Sequence, residues 1–83
     1  MARKELLKRI TSDPAILRGK PIIRNMRISV ELVLDLLSQG TTQDEIFKDY
    51  PSLEADDILA CLAYAKSVLA DEEIEDLNIE KRA

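Results

Sequence analysis

Hydrophobic side chains recur at helical spacing in the second half of the chain, in blocks separated by turn signals. The first block follows Ser29, a good N-cap residue, and stops before Gly40, which suits the left-handed residue that ends a helix. Thr42 and Glu45 have the spacing of a capping box, and Pro51 ends that block because a residue preceding proline leaves the α region. The pattern predicts three helices, at about 29–39, 42–50 and 54–70.

The last of these helices is apolar on almost all sides. Between Ile58 and Ala70 the only polar side chains are Tyr64, Lys66 and Ser67. Such a helix is central to a domain or lies at a subunit interface. Two short helices and a hairpin cannot cover its circumference, so the pattern also predicts a homodimer.

In the first part of the chain, hydrophobic positions recur with the shorter period that is typical of β-strands. Segments 21–24 and 27–29 resemble two strands, and Asn25-Met26 predicts a two-residue hairpin turn because Asn tolerates positive φ. Residues 3–12 have helix-like spacing but end in a segment, 9–11, that is equally compatible with a short strand.

A turn signal lies between these segments. Ser12 or Asp13 can cap a turn that begins at Pro14. The signal predicts one helical turn at 15–17, which Gly19 would end in the left-handed conformation.

Charge is distributed unevenly along the 83 residues, although the net charge is only −4. Residues 1–27 carry eight basic and two acidic side chains, whereas residues 28–83 carry four basic and 14 acidic ones. A basic head on an acidic body indicates two different partners, or a dimer in which heads and tails neutralise each other. Solvated surface charge is the simpler alternative.

Composition argues against most kinds of catalytic or metal chemistry. The chain has no His, which is the usual general base and the commonest metal ligand, and Cys61 is the one cysteine. An intrachain disulfide and a thiolate zinc cluster are therefore impossible, and Cys61 is expected to be a small core residue. We expect a cytoplasmic protein with no enzymatic activity, no cofactor, no metal site, no signal peptide and no membrane span.

The basic head predicts contacts to nucleic-acid phosphates, which dominate affinity for nucleic acids. The candidate side chains are Arg18, Lys20, Arg24 and Arg27. The alternative is that Arg24 and Arg27 pair with acids of the helical body, such as Glu31 or Asp35. Of the two, Arg27 is better suited to a structural role, because the turn would hold it close to the first helix.

Residues 42–50 and 54–70 have acceptable spacing for a helix-turn-helix. However, Glu54, Asp56 and Asp57 stand where a recognition helix normally carries Arg, Lys, Asn or Gln. These acids would repel phosphate, so we expect base reading not to use this helix.

Several separated motifs resemble the domain-of-unknown-function family numbered 433. They are Arg9-Ile10-Thr11-Ser12-Asp13-Pro14, Gly19-Lys20-Pro21-Ile22-Ile23-Arg24, Arg27-Ile28-Ser29-Val30, Tyr50-Pro51-Ser52-Leu53 and Asp57-Ile58-Leu59-Ala60-Cys61-Leu62-Ala63-Tyr64-Ala65. The resemblance covers about residues 9–69. One departure is Asn25-Met26, where the family usually has Gly-Thr at the hairpin turn.

The resemblance implies a three-helix, helix-turn-helix-like (winged-helix or homeodomain-like) bundle with an N-terminal β-hairpin. It also implies an antitoxin that binds operator DNA and neutralises a PIN-like ribonuclease toxin. A protein-interaction or scaffolding module without nucleic-acid binding remains the alternative. The two would be distinguished by salt-dependent binding to the DNA upstream of the gene.

We divide the chain into a domain at 1–70 and an acidic tail at 71–83. Between Asp71 and Glu80 the tail has six acids and no base. Its acids could imitate phosphates in the basic groove of a ribonuclease while its apolar side chains anchor it. Extension of the last helix, or a solubilising role, is the alternative. The candidate partner-binding residues are Ile74, Leu77, Ile79, Glu72, Glu73 and Asp76.

Overall fold

Residues 3–72 fold into four α-helices and one pair of short strands. A computed structural model describes residues 3–72. The helices are α1 (Arg3–Leu7), α2 (Val30–Ser38), α3 (Gln43–Asp49) and α4 (Ala55–Glu72), and the strands are β1 (Ile10–Thr11) and β2 (Ile22–Ile23). The mainly helical class with a short antiparallel strand pair is therefore confirmed.

The three predicted helices are confirmed, and the capping interactions that predicted their ends are present. The Ser29 hydroxyl accepts a hydrogen bond from the Leu32 amide at 3.0 Å at the start of α2. Thr42 and Glu45 complete a reciprocal capping box at the start of α3. Gly40 adopts φ 87°, the left-handed conformation expected beyond α2.

Thr42→Ala is expected to lower the free energy of unfolding by about 1 kcal/mol, because it removes the acceptor for the Glu45 amide. Urea denaturation followed by circular dichroism measures the change. Gln43→Ala, one residue along on the exposed first turn, is the matched control and should be close to neutral. Equal losses in both variants would contradict a specific role for the cap.

The strand pairing differs from the predicted hairpin. β2 pairs with β1, with Ile10 opposite Ile23 and Thr11 opposite Ile22. Of the predicted second strand at 27–29, a single bridge between Ser29 and Ile22 is present. Of the segment 9–11 that the sequence left open, Ile10–Thr11 form the short strand β1, while α1 takes up the helical part of 3–12.

The turn after β2 lies one residue earlier than predicted. Its central residues are Arg24 and Asn25, with φ values of 45° and 59°, and the Met26 amide donates to the Ile23 carbonyl at 2.8 Å. Two consecutive positive φ angles are the signature of a type I′ turn, which matches the twist of flanking extended segments. Arg24 consequently belongs to the turn and not to a strand.

The predicted helical turn at 15–17 is wrong. Asp13 accepts the Ala15 amide through its side chain at 2.9 Å and the Ile16 amide through its carbonyl at 2.8 Å, which makes a tight turn. The chain then reverses in a left-handed 3-10 turn over Leu17–Gly19. Gly19 has φ 81° as expected, but Leu17 and Arg18 also have positive φ, which costs a residue with a Cβ about 1–2 kcal/mol.

The core lies where α2, α3 and α4 meet β2. Its buried side chains are Ile23, Val30, Val33, Ile46, Leu53, Ile58 and Cys61. α1 packs against α4 from outside this core. Within residues 3–72, no helix is long and apolar enough to cross a membrane. The predicted tail lies outside the described residues from Glu73 onward, so its role stays a prediction.

Candidate nucleic-acid interface

The buried carboxylate of Asp57 connects the turn after β2 to the first turn of α4. The side chain of Asp57 is 0% exposed. Its Oδ1 accepts from Arg9 Nη1 at 3.0 Å and from Arg24 Nε at 3.1 Å. Its Oδ2 accepts from Arg24 Nη2 at 2.7 Å and from the Glu54 amide at 2.8 Å. Four donors from three parts of the chain therefore satisfy one buried carboxylate.

Both arginines make a further contact beside Asp57. Arg9 Nη1 pairs with Glu54 Oε1 at 2.8 Å, and Arg24 Nη2 donates to the Ser52 carbonyl at 2.9 Å. We call Arg9, Arg24, Glu54 and Asp57 the ion-pair cluster. It joins the residue before β1, the turn after β2 and the start of α4, so its charges position the basic head on the helical body.

The ion-pair cluster keeps Asp57 ionised. Burial alone would raise its pKa. Hydrogen bonds from Arg24, from the Glu54 amide and from Arg9 outweigh burial and hold the pKa of Asp57 below its ordinary value. The carboxylate is therefore charged at neutral pH.

Arg24 pairs with an acid of the helical body, as one of the two sequence interpretations predicted, but the acid is a different one. Instead of Glu31 or Asp35 its partner is Asp57, and 36% of its side chain remains exposed. Arg27, the cation expected to be structural, is exposed and forms no ion pair within residues 3–72.

The structure brings Arg18 and Lys20 together at the N-terminus of α2. With Leu17 and Ser29 they line an open depression of about 280 Å³. Lys20 Nζ pairs with Glu31 Oε1 at 2.9 Å, and this hydrogen bond lowers the pKa of Glu31. Both partners are largely exposed, so the pair is screened and exchangeable. Arg18 has no ion pair among the described residues.

Sequence reasoning missed the pairing of Arg9 with Asp57. In the sequence, Asp57 is one of three acids at the start of the last predicted helix, where the helix dipole favours an anion; this accounts for an acid there but not for a buried one. The available signal was its spacing of four residues from Cys61, which places both on one helix face. Cys61 is in the core as expected, and burial raises the pKa of its thiol to about 12.

α4 leaves much of its apolar surface exposed. Leu59 is 46%, Leu62 47%, Val68 40% and Leu69 68% exposed. Val68 and Leu69 also line a groove of about 350 Å³ beside α2, together with Pro21, Leu34 and Tyr64.

Within residues 3–72 there is no group of three or more His, Cys, Asp or Glu side chains arranged to hold a metal ion.

Comparison with known proteins places the chain in a family. An uncharacterized protein of Sinorhizobium fredii, y4eO, is 33% identical over 58 residues, which cover 70% of this chain. The chain spans only 26% of the length of that relative. No solved structure matches the chain significantly. The model of the family described as "protein of unknown function (DUF433)" matches residues 10–65, so the chain belongs to that family.

Proposed function

We propose that the chain is an antitoxin-like cytoplasmic regulator that binds operator DNA and neutralises a PIN-like ribonuclease toxin. The observation that carries the DNA-binding part is the convergence of Arg18 and Lys20 at the first turn of α2. Two cations beside a helix N-terminus favour an anion, because the positive end of the helix dipole adds to their charge. A backbone phosphate meets that requirement.

The cations have different roles in this proposal. Arg18, Lys20 and Arg27 are exposed and contact phosphates, whereas Arg24 is a positioning residue that ties the turn to Asp57. A phosphate would replace the Glu31 carboxylate on Lys20, which is possible because that pair is exposed. A homodimer belongs to the proposal, since two-fold symmetry presents two such surfaces to one duplex.

The toxin-binding part rests on the acidic composition of the tail and on its place in the chain. Residues 73–83 of the tail follow α4, whose last described turns line the apolar groove through Val68 and Leu69. A ribonuclease bound to the tail would therefore be next to an apolar surface that it could cover.

Arg18→Ala and Lys20→Ala are expected to weaken binding to a duplex of about 30 base pairs taken from upstream of the gene. Each change removes one phosphate contact, so the slope of log K against log salt should fall by about one. Fluorescence anisotropy over a sodium chloride series measures this slope. Lys48→Ala, an exposed cation on α3, is the matched control and should leave the slope unchanged.

Glu31→Gln sharpens the same experiment. It removes the carboxylate that competes for Lys20, so the proposal expects tighter DNA binding. Wild-type protein that shows no salt-dependent binding to this duplex would overturn the DNA-binding part.

A protein-interaction module without nucleic-acid binding is the second candidate. It is favoured by the ion pairs that occupy two cations of the basic head, Lys20 with Glu31 and Arg24 with Asp57. It is also favoured by the acids Glu54 and Asp56 at the start of α4. This candidate expects partner capture by the chain with no affinity for the duplex at any salt concentration.

A further inference from the structure

One stripe of α4 is exposed along its length and has the spacing of a helix-helix seam. Its members are Ala55, Leu59, Leu62, Lys66 and Leu69, separated by four, three, four and three residues. All five are exposed. Alternating steps of three and four residues keep side chains on one line facing a partner helix.

We propose that two copies of the chain associate through this stripe, with their α4 helices antiparallel. The proposal deepens the homodimer of the proposed function and rests on it. It names the surface that the two copies share and the relative direction of the helices.

The single charge in the stripe determines the direction. A parallel, in-register pair would place the two Lys66 side chains against each other, which is unfavourable. In the antiparallel pair, Leu59 lies opposite Leu62 of the second copy, and the same register places Lys66 opposite Ala55 of that copy.

This register gives each Lys66 an acidic environment. Glu54 and Asp56 flank Ala55; both contact Arg9 of their own chain, yet their side chains remain 59% and 40% exposed. The small Ala55 leaves room for the aliphatic stem of the lysine, whose ammonium then lies near the two carboxylates. The stripe is thus self-complementary, which favours a second copy over an unrelated apolar partner.

Cysteine cross-linking tests the direction. Under mild oxidation, a mixture of the Ala55→Cys and Lys66→Cys chains should form the mixed disulfide, and Lys66→Cys alone should not form dimers. Cys61 gives little background, because it is buried and its thiol pKa is about 12. Efficient cross-linking of Lys66→Cys to itself would indicate a parallel pair and overturn the proposal.

Mass measurement tests the surface. Light scattering of the wild-type chain should give twice the monomer mass of 9.4 kDa at micromolar concentration. Leu62→Glu should raise the dimer dissociation constant by roughly 100-fold, since each of the two introduced carboxylates would be buried against Leu59 of the other copy. Val68→Glu, comparably exposed but off the stripe, is the control and should remain dimeric.

The outcomes separate this inference from the proposed function. A monomeric wild-type chain that still binds the duplex with the expected salt slope would overturn the antiparallel dimer and leave DNA binding intact. A cross-linked antiparallel dimer with no affinity for DNA would support the inference and overturn the DNA-binding part.

Discussion

Asp57→Ala is expected to lower the free energy of unfolding by about 3 kcal/mol, because it leaves two guanidinium groups without their shared carboxylate. It also removes the acceptor for the Glu54 amide at the start of α4. A domain of this size has only about 5 kcal/mol or somewhat more of total stability, so the loss would be large. Urea denaturation monitored at neutral pH measures it.

The neighbouring aspartate is the matched control. Asp56 is 3.7 Å from Arg9 and 40% exposed, so Asp56→Ala should cost less than about 1 kcal/mol. Comparable losses at the two positions would contradict a special role for the buried carboxylate.

The pH dependence of stability gives a second measure of the same cluster. Because the pKa of folded Asp57 is below its unfolded value of about 4, its contribution is complete above about pH 4 and is lost as pH falls through the lower, folded value. The stability difference between wild type and Asp57→Asn should therefore narrow in strong acid. A difference that is independent of pH would show that ionisation of Asp57 does not contribute.

If the proposed function is right, removal of residues 73–83 is expected to abolish inhibition of a PIN-like ribonuclease while leaving the described fold intact. A truncation after Glu72 keeps every described residue, including all of α4. If Ile74, Leu77 and Ile79 each bury a side chain in the complex, their loss should weaken binding by more than about 100-fold. Cleavage of a labelled RNA by a purified PIN-like ribonuclease, titrated with each chain, measures inhibition.

Full-length variants separate anchoring from charge. Replacing Ile74, Leu77 and Ile79 together by serine keeps the net charge of the tail and should reproduce the truncation. Glu75→Gln with Glu80→Gln, two tail acids outside the proposed contact set, is the control and should inhibit almost as well as wild type. Inhibition by the truncated chain that equals that of the full chain would show that the tail has no such role.

Much of the helical architecture could be predicted because its signals are local. Ser29, Thr42, Glu45 and Gly40 act on amides and carbonyls within four residues of themselves, and each occurs in its expected place. The family resemblance was equally accessible, since it depends on the order and spacing of residues, and the family model matches residues 10–65.

The strand pairing could not be read in the same way. A strand of two residues has too few alternating positions for its pattern to choose a partner. Ile22 and Ile23 pair with Ile10 and Thr11 because the chain reverses direction over residues 12–20. The sequence predicted only part of that reversal, the turn at Asp13 and the left-handed Gly19. Moving the turn by one residue, to Arg24 and Asn25, was enough to change the environment of Arg24.

By itself, the sequence determined the three main helices, their ends, the apolar character of α4 and the division into a basic head and an acidic body. The tertiary structure alone decided which charges are free and which are engaged. Arg9, Arg24 and Asp57 meet across up to 48 residues of chain, and the carboxylate can be buried only because both guanidinium groups arrive with it. Ion pairing depends on distance in space, which no local pattern of residues records. The tertiary structure therefore distinguishes Arg24, which positions the turn, from Arg18 and Arg27, which are exposed and form no ion pair among the described residues.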